Sequence, residues 1–280
     1  MAEITVALIS KLRNQTGAGI LTCKKALTES DGDLEGAIEL LRLKGDATAE
    51  KKSSRDTSEG VISRKLAADS KSGTLVEINC ETDFAAKNEK FMEFCGEVTD
   101  ALNENPDADM EDRRKAIVAE TGENVRIARH ESLRVDGHGA VASYIHHGNK
   151  VGVLVAVETG AEATVGNDAF KELLGDLTLQ ITAASPTSVC RDGLDQAMVQ
   201  KERDLATEQF KDKPAQAIEK IVTGKMEKFF AGICLVDQPF VKQDELAVRD
   251  HIAAVGKELG DDGICVKGFV RFQVGETKED

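Results

Sequence analysis

Hydrophobic residues recur at helical spacing from the start of the chain, where Ile4, Leu8, Ile9 and Leu12 share one face. The run TGAG at 16–19 interrupts that face, and Ile20, Leu21 and Leu27 resume it in a second helix. A third helix is predicted from Asp33, a suitable N-cap, through Ala37, Ile38 and Leu41 to Gly45, where a glycine fits a helix end. These helices make a small bundle, and the polar run KGDATAEKKSSRDTSEG that follows has linker composition.

The period then falls to two. VISRKLA and TLVEINC read as strands, with Val76, Ile78 and Cys80 on one face of the second. Phe91, Phe94, Cys95 and Val98 return to helical spacing. AVASYIHH and KVGVLVAVETG read as another strand pair joined by a turn at Gly148 and Asn149, and a helix follows from about Asn167 to Ala183. Between Leu194 and Phe230 the pattern is wholly helical: Leu194, Met198 and Leu205 precede KDKP, and Ile218, Ile221, Val222, Met226 and Phe229 follow it. A tight turn at residues 212–214 would fold this stretch into an antiparallel helix pair. GICLVDQPFV and GICVKGFVRFQVGE read as strands rejoining the second unit.

An ungapped shift of 79 carries Gly60, Lys71, Gly73, Leu75, Val76, Asn88, Phe91 and Gly96 onto Gly139, Lys150, Gly152, Leu154, Val155, Asn167, Phe170 and Gly175. We read two copies of one hairpin-plus-helix unit. The fold class is α+β: an N-terminal three-helix bundle at 1–50, a linker at 51–59, and a core of two repeated antiparallel-sheet-plus-helix units at 60–138 and at 139–186 with 231–280. An antiparallel helical hairpin is inserted at 187–230.

The repeat singles out one residue. NCETDFAAKNEKF, residues 79–91, sets Asp83 and Phe84 where a strand gives way to a helix, and the shift places Glu162 and Ala163 opposite them. Core positions on either side keep their character, while this one changes from a ring to a methyl. A ring required for packing in both units would leave a costly cavity if lost, so Phe84 reads as a projecting side chain, with burial through different packing in the first unit as the alternative. An exposed aromatic beside a carboxylate suits insertion into a partner's pocket.

Composition narrows the partner. The 280 residues suffice for about two domains, and 41% hydrophobic with 31% charged residues is globular. A net charge of -14 repels phosphate backbones, and the basic pairs Lys24-Lys25 and Lys51-Lys52 are short and mixed with acids, so no direct nucleic acid partner is expected. Six dispersed cysteines without a C-x-x-C pair fit reduced cytoplasmic thiols. No apolar run would span a membrane, and the start carries acidic Glu3 without a basic leader.

Catalytic constellations are missing. Gly17 and Gly19 lack the Gly-Lys-Ser/Thr of a phosphate loop and the preceding strand of a dinucleotide loop, so they read as a helix-breaking turn. His146 and His147, with His138 nearby, would point to opposite faces of a strand and lack companion ligands. Cys80 beside Glu81 and Asp83 reads as an inert core thiol. No G-x-S-x-G elbow or H-E-x-x-H helix occurs, so no enzyme, cofactor or bound metal is expected. Two rival readings stay open: a nucleotide-binding enzyme using the Gly17–Gly19 turn, and a passive protein-binding adaptor.

LRNQTGAGILTCKKAL, NCETDFAAKNEKF, HGNKVGVLV, QPFV and FVRFQVGE, in this order along the chain, together resemble translation elongation factor Ts. The resemblance implies a cytoplasmic guanine nucleotide exchange factor for elongation factor Tu, in which the bundle is ubiquitin-associated-like. It also implies that Thr82, Asp83, Phe84 and Ala85 form the loop that disturbs the partner's magnesium, without holding a metal themselves. Arg13, Ile20 and Leu21 match N-terminal contact positions, and His147 with Gly148 match a loop that reaches the partner's third domain. Two departures stand out. Lys150 replaces a frequent arginine, keeping the charge without the fork of donors, and the chain stops at VGETKED, where some relatives continue into a further helix, so that helix's contact is expected to be absent. The stoichiometry of the complex is not set by these residues.

Overall fold

The computed structural model describes residues 4–276, so Glu3 and the closing residues 277–280, on which the expectations for the two chain ends draw, lie outside the described residues. Helix α1 (Val6–Thr16) starts where the Thr5 hydroxyl accepts the Leu8 N–H and ends at Gly17 in the left-handed conformation. Helix α2 (Ile20–Glu29) and helix α3 (Leu34–Lys52), capped by the Asp33 carboxylate, complete the bundle around Leu12, Cys23, Ala26, Leu27 and Ala37. Ile20 and Leu21 do not continue the buried face, because the first turn of α2 turns outward and leaves them 56% and 75% exposed.

The third helix does not stop at Gly45. It runs on through GDATAEKK to Lys52, because Ala49 is buried in the core of the first sheet unit. Gly45 is buried where its bare Cα faces the Ala119 methyl, so tertiary contact outweighs the helix-breaking tendency of glycine. Nor is the connection that follows a free linker. Asn124 donates its side-chain amide to the Ser53 and Arg55 carbonyls, and Asn79 donates to the Thr57 carbonyl.

The first sheet unit comprises strand β1 (Glu59–Leu66), strand β2 (Ser72–Cys80), the single turn α4 (Asp83–Ala86), helix α5 (Glu89–Glu104), helix α6 (Glu111–Thr121) and strand β3 (Val125–Arg134). The second comprises strand β4 (Gly139–Ile145), strand β5 (Val151–Glu158), the single turn α7 (Glu162–Val165) and helix α8 (Asp168–Ala184). It then continues through helix α9 (Gln196–Gln209), helix α10 (Ala215–Ile233), strands β6 (Pro239–Phe240) and β7 (Gln243–Ala247), helix α11 (Val248–Leu259) and strand β8 (Cys265–Gln273). Antiparallel pairing gives the orders β1-β2-β3 and β4-β5-β8.

The repeat therefore extends further than the hairpin and helix that its ungapped match reveals. Helices α6 and α11 and strands β3 and β8 are equivalent, and the material between α8 and α11 separates the last two elements of the second unit. Both units carry a bulge at the same point of the middle strand, between Glu77 and Ile78 and between Ala156 and Val157. Both long helices are capped by asparagine, Asn88 and Asn167. Both hairpins begin at a glycine with positive φ, Gly60 at 150° and Gly139 at 144°, where an added Cβ would collide with the carbonyl of Ile78 or Val157. Gly60→Ala is expected to cost roughly 1–3 kcal/mol in urea denaturation, from strain and crowding together.

The two sheets pack face to face, so the middle strands are buried on both sides. Leu75, Ile62, Leu154, Val141, Val270 and Phe272 fill the space between the sheets. On the outer faces Val76, Ile78, Phe91, Phe94 and Val98 form one core, and Val153, Val155, Phe170, Leu173 and Leu177 form another. The layers run helix, sheet, sheet, helix.

Helices α9 and α10 pack along Leu194, Val199 and Ala206 against Val222, Met226 and Phe230. Leu205 and, to a lesser degree, Met198 are exposed, which shifts the buried face of α9 by one residue from the expected one: seven-residue spacing is satisfied equally by 198 and 205 or by 199 and 206. GICLVDQPFV does not rejoin the large sheet. Ile233 ends α10, residues 235–237 form a 3-10 turn, and Pro239–Phe240 pairs only with β7. Gln180 explains this placement, donating to the Pro239 carbonyl at 3.1 Å and accepting the Val241 N–H at 2.8 Å, so α8 takes up backbone groups that a sheet would otherwise have paired.

Candidate functional site

At the end of β2 the chain leaves the sheet and makes one helical turn, whose inner face is small and whose outer face is not. Ala85 and Ala86 are buried against the first core, whereas Phe84 is 81% exposed. Thr82 caps the turn, its hydroxyl accepting the Ala85 N–H at 3.2 Å. The Glu123 carboxylate holds Thr82 twice, accepting its N–H at 3.0 Å and its hydroxyl at 2.7 Å. Beside it, Glu81 accepts the Asn124 N–H at 2.6 Å and pairs with Arg55. Phe84 thus projects from a root anchored at several points.

Asp83 pairs with Lys87 at 2.8 Å, and this ammonium holds its carboxyl below the usual carboxylate range. Cys80 lies beneath the turn with its Sγ 3.2 Å from the Thr82 carbonyl. Burial pushes its thiol up to about 12, with the Glu123 charge adding to the effect. The inert thiol expected from Glu81 and Asp83 is present, but those two acids are not what raises it.

The second copy clarifies the turn. Ala163 is exposed at the position of Phe84, so neither unit buries a side chain there. Asp261 follows the left-handed Gly260 as Glu123 follows Gly122, and accepts the Gly160 and Ala161 amides and the Thr164 hydroxyl. The Thr164 hydroxyl first, and then the Gly160, Gly263 and Ala161 amides, keep the Asp261 carboxyl below its ordinary value of 3.8. A carboxyl lowered by folding stabilises fully above its unfolded pKa and loses that contribution as pH falls through the folded one. Wild type should therefore lose stability more steeply than Asp261→Asn between about pH 5 and about pH 2, as measured by urea denaturation at each pH.

The other sequence-predicted residues lie on the surface. Arg13 is exposed in the last turn of α1, and Ile20 and Leu21 are exposed at the start of α2. Gly17 closes α1 and its carbonyl accepts from Lys90 at 2.9 Å, while the same Lys90 pairs with Glu120 at 2.5 Å. The Glu120 carboxylate lies against the Gly17 Cα, a setting hostile to phosphate. Lys90 stands in the first turn of α5, just after the Phe84 turn, so this bond ties the bundle to the same end of the sheet unit.

His147 and Gly148 are exposed in the turn between β4 and β5, which the Asn149 N–H closes on the His146 carbonyl at 3.0 Å. His146 and His147 lie beyond the end of β4, so strand alternation does not apply to them. Among the described residues no group of three His, Cys, Asp or Glu side chains could hold a metal. The Asn149 carbonyl accepts from Ile62 in β1, and Lys150 pairs with Glu59 and donates to the Gly60 carbonyl. Glu59 lies opposite Cys80 in register, and the Lys150 charge also acts on Asp83. The structure therefore brings the His147 turn to the edge from which the Phe84 turn rises.

Sequence reasoning missed Glu123, Asn124, Lys90 and Glu120. For Glu123 the signal is the paired Gly-acid ends of α6 and α11, visible only once the repeat is extended across the insertion, and the other three carry no such mark. Among the described residues, no helix is long and apolar enough to cross a membrane.

Residues 81–276 match the family model described as Elongation factor TS. Elongation factor Ts of Trichlorobacter lovleyi is 41% identical over 295 aligned residues, covering 99% of this chain and 94% of that protein. Elongation factor Ts of Thioalkalivibrio sulfidiphilus is 40% identical, with 99% and 94% covered. Elongation factor Ts of Nautilia profundicola is 37% identical at the same coverage. With a family match over more than half the chain and relatives aligned along nearly all of it, the chain belongs to the elongation factor Ts family, translation elongation factors that act in nucleotide exchange and not as catalytic enzymes.

Proposed function

We propose that the chain binds elongation factor Tu carrying GDP and promotes GDP release by inserting the turn formed by Thr82, Asp83, Phe84 and Ala85 beside the partner's magnesium and nucleotide. The single observation that carries this reading is the 81% exposure of Phe84 on a turn whose root is held by Glu123. An exposed ring on a fixed support loses little conformational freedom on entering a pocket. Arg13, Ile20 and Leu21 on the α1–α3 bundle, taken as ubiquitin-associated-like, and His147 with Gly148 at the β4–β5 turn supply further contacts. The division into bundle, two core units and inserted hairpin belongs to this reading, with the edge of the bundle moved to Lys52.

Exchange by this route is linkage. A protein that binds the GDP-free partner more tightly than the GDP-bound one must weaken GDP by the same factor. Magnesium keeps much of its shell in water and phosphate oxygens, so a small displacement of its few protein contacts weakens the nucleotide. The Phe84 ring supplies the apolar anchor. Asp83, whose carboxylate form is favoured further by Lys87, supplies a negative charge near a site that depends on one cation.

The test is release of labelled GDP from elongation factor Tu with and without the protein. Acceleration is expected. Binding without acceleration would leave the adaptor reading, and direct GDP binding by the isolated chain would favour a nucleotide site at Gly17–Gly19.

A further inference from the structure

Glu123 lies outside every segment that marks the family resemblance, yet it reaches both donors of Thr82. One carboxylate oxygen accepts the Thr82 N–H at 3.0 Å and the other its hydroxyl at 2.7 Å. The hydroxyl in turn accepts the Ala85 N–H at 3.2 Å, so a chain of bonds crosses the turn that carries Phe84. A helix of one turn leaves its first amides without partners of its own, and its direction is set by what caps it.

Glu123 is itself firmly seated. Gly122 before it is left-handed, and its carbonyl accepts from Lys52; Asn124 after it donates to Glu81, Ser53 and Arg55. The carboxylate therefore sits on a clamped segment and transmits that rigidity to the turn.

We propose that Glu123 is a positioning residue for exchange: by fixing Thr82 it aims the Phe84 ring before the partner is met. This rests on the reading of residues 82–85 as the exchange turn. A ring that must be oriented during docking gives up part of its binding free energy to ordering, and a small angular error removes it from its pocket.

The molecule contains its own control. Asp261 does the same work under α7, accepting the Gly160 and Ala161 amides and the Thr164 hydroxyl, but the exposed residue there is Ala163. A purely structural role would make the two acids equivalent, whereas a positioning role separates them.

Glu123→Gln keeps the shape and turns an amide towards one of the Thr82 donors; Asp261→Asn is the matched change. GDP release from elongation factor Tu at saturating factor, the factor concentration for half-maximal release, and thermal midpoints are measured for wild type, both single variants, Phe84→Ala, and Phe84→Ala with Glu123→Gln. Glu123→Gln should slow release at saturation by about tenfold, the order of one lost charge-assisted hydrogen bond. Asp261→Asn should lose comparable thermal stability and release GDP at the wild-type rate. Adding Glu123→Gln to Phe84→Ala should slow release no further, since the carboxylate acts through the ring.

Equal release by the Glu123 and Asp261 variants would overturn the proposal, as would additive slowing in the double variant. If Phe84→Ala itself released GDP at the wild-type rate, the reading of the turn would fall first. If Phe84→Ala is slow and Glu123→Gln is not, only the role of Glu123 falls. Should Glu123→Gln not fold, Glu123→Asp keeps the charge but is one methylene shorter and reaches one donor of Thr82; it should be slowed less than tenfold, and wild-type release by it would count against the proposal.

Discussion

Phe84→Ala is expected to slow GDP release from elongation factor Tu by roughly 30-fold or more while shifting the protein's own stability by less than about 1 kcal/mol. The first figure is what an anchor worth about 2 kcal/mol contributes when it is truncated at the centre of an interface. The second follows from exposure: the ring is 81% accessible, so its removal opens no cavity. Labelled-GDP release and urea denaturation, run on the same preparation, measure the two effects independently. A loss of several kcal/mol would mean that the ring packs against the protein's own core.

Phe91→Ala should behave in the opposite way. Phe91 is fully buried between β2 and α5, among Val76, Ile78, Phe94 and Val98. Removing a ring from such a site costs the lost transfer free energy together with a cavity, about 3–5 kcal/mol. Urea denaturation should show that loss, and at temperatures where the variant remains folded its GDP release should approach the wild-type rate. The two phenylalanines belong to adjacent helical segments, so the pair separates a ring that holds the fold from a ring that the fold presents. A Phe91→Ala variant that is fully stable would contradict the core assignment.

The difference between these rings is partly legible in the sequence alone. The repeat preserves an aromatic at Phe91 and Phe170 and replaces one at Phe84 with Ala163, and both pairs fall as that contrast requires: inside for the first, outside for the second. The two hairpins and the long helices α5 and α8 that follow them were legible for the same reason, since a buried face imposes its period on the residues that form it. Helix α6 was missed because charged residues dominate it and only Ile117 and Val118 are fully buried. Strand β3 was missed because only Val125 is fully buried and the rest are partly buried or exposed, so its alternation is weak.

The sequence by itself determined the α+β class, the duplicated unit and the position of Phe84, because periodicity and the comparison of two copies are local in the chain. Only the tertiary structure decided where α3 stops, which face of α9 is buried and which carboxylate holds Thr82. Gly45 remains helical because Ala119 is beside it, and Glu123 meets Thr82 only because β3 pairs with β2 and so returns the start of β3 to the root of the turn. Contacts between residues this far apart in the chain leave no period in the sequence, and in the second unit the 185–247 insertion hides even the duplicate that would have revealed them.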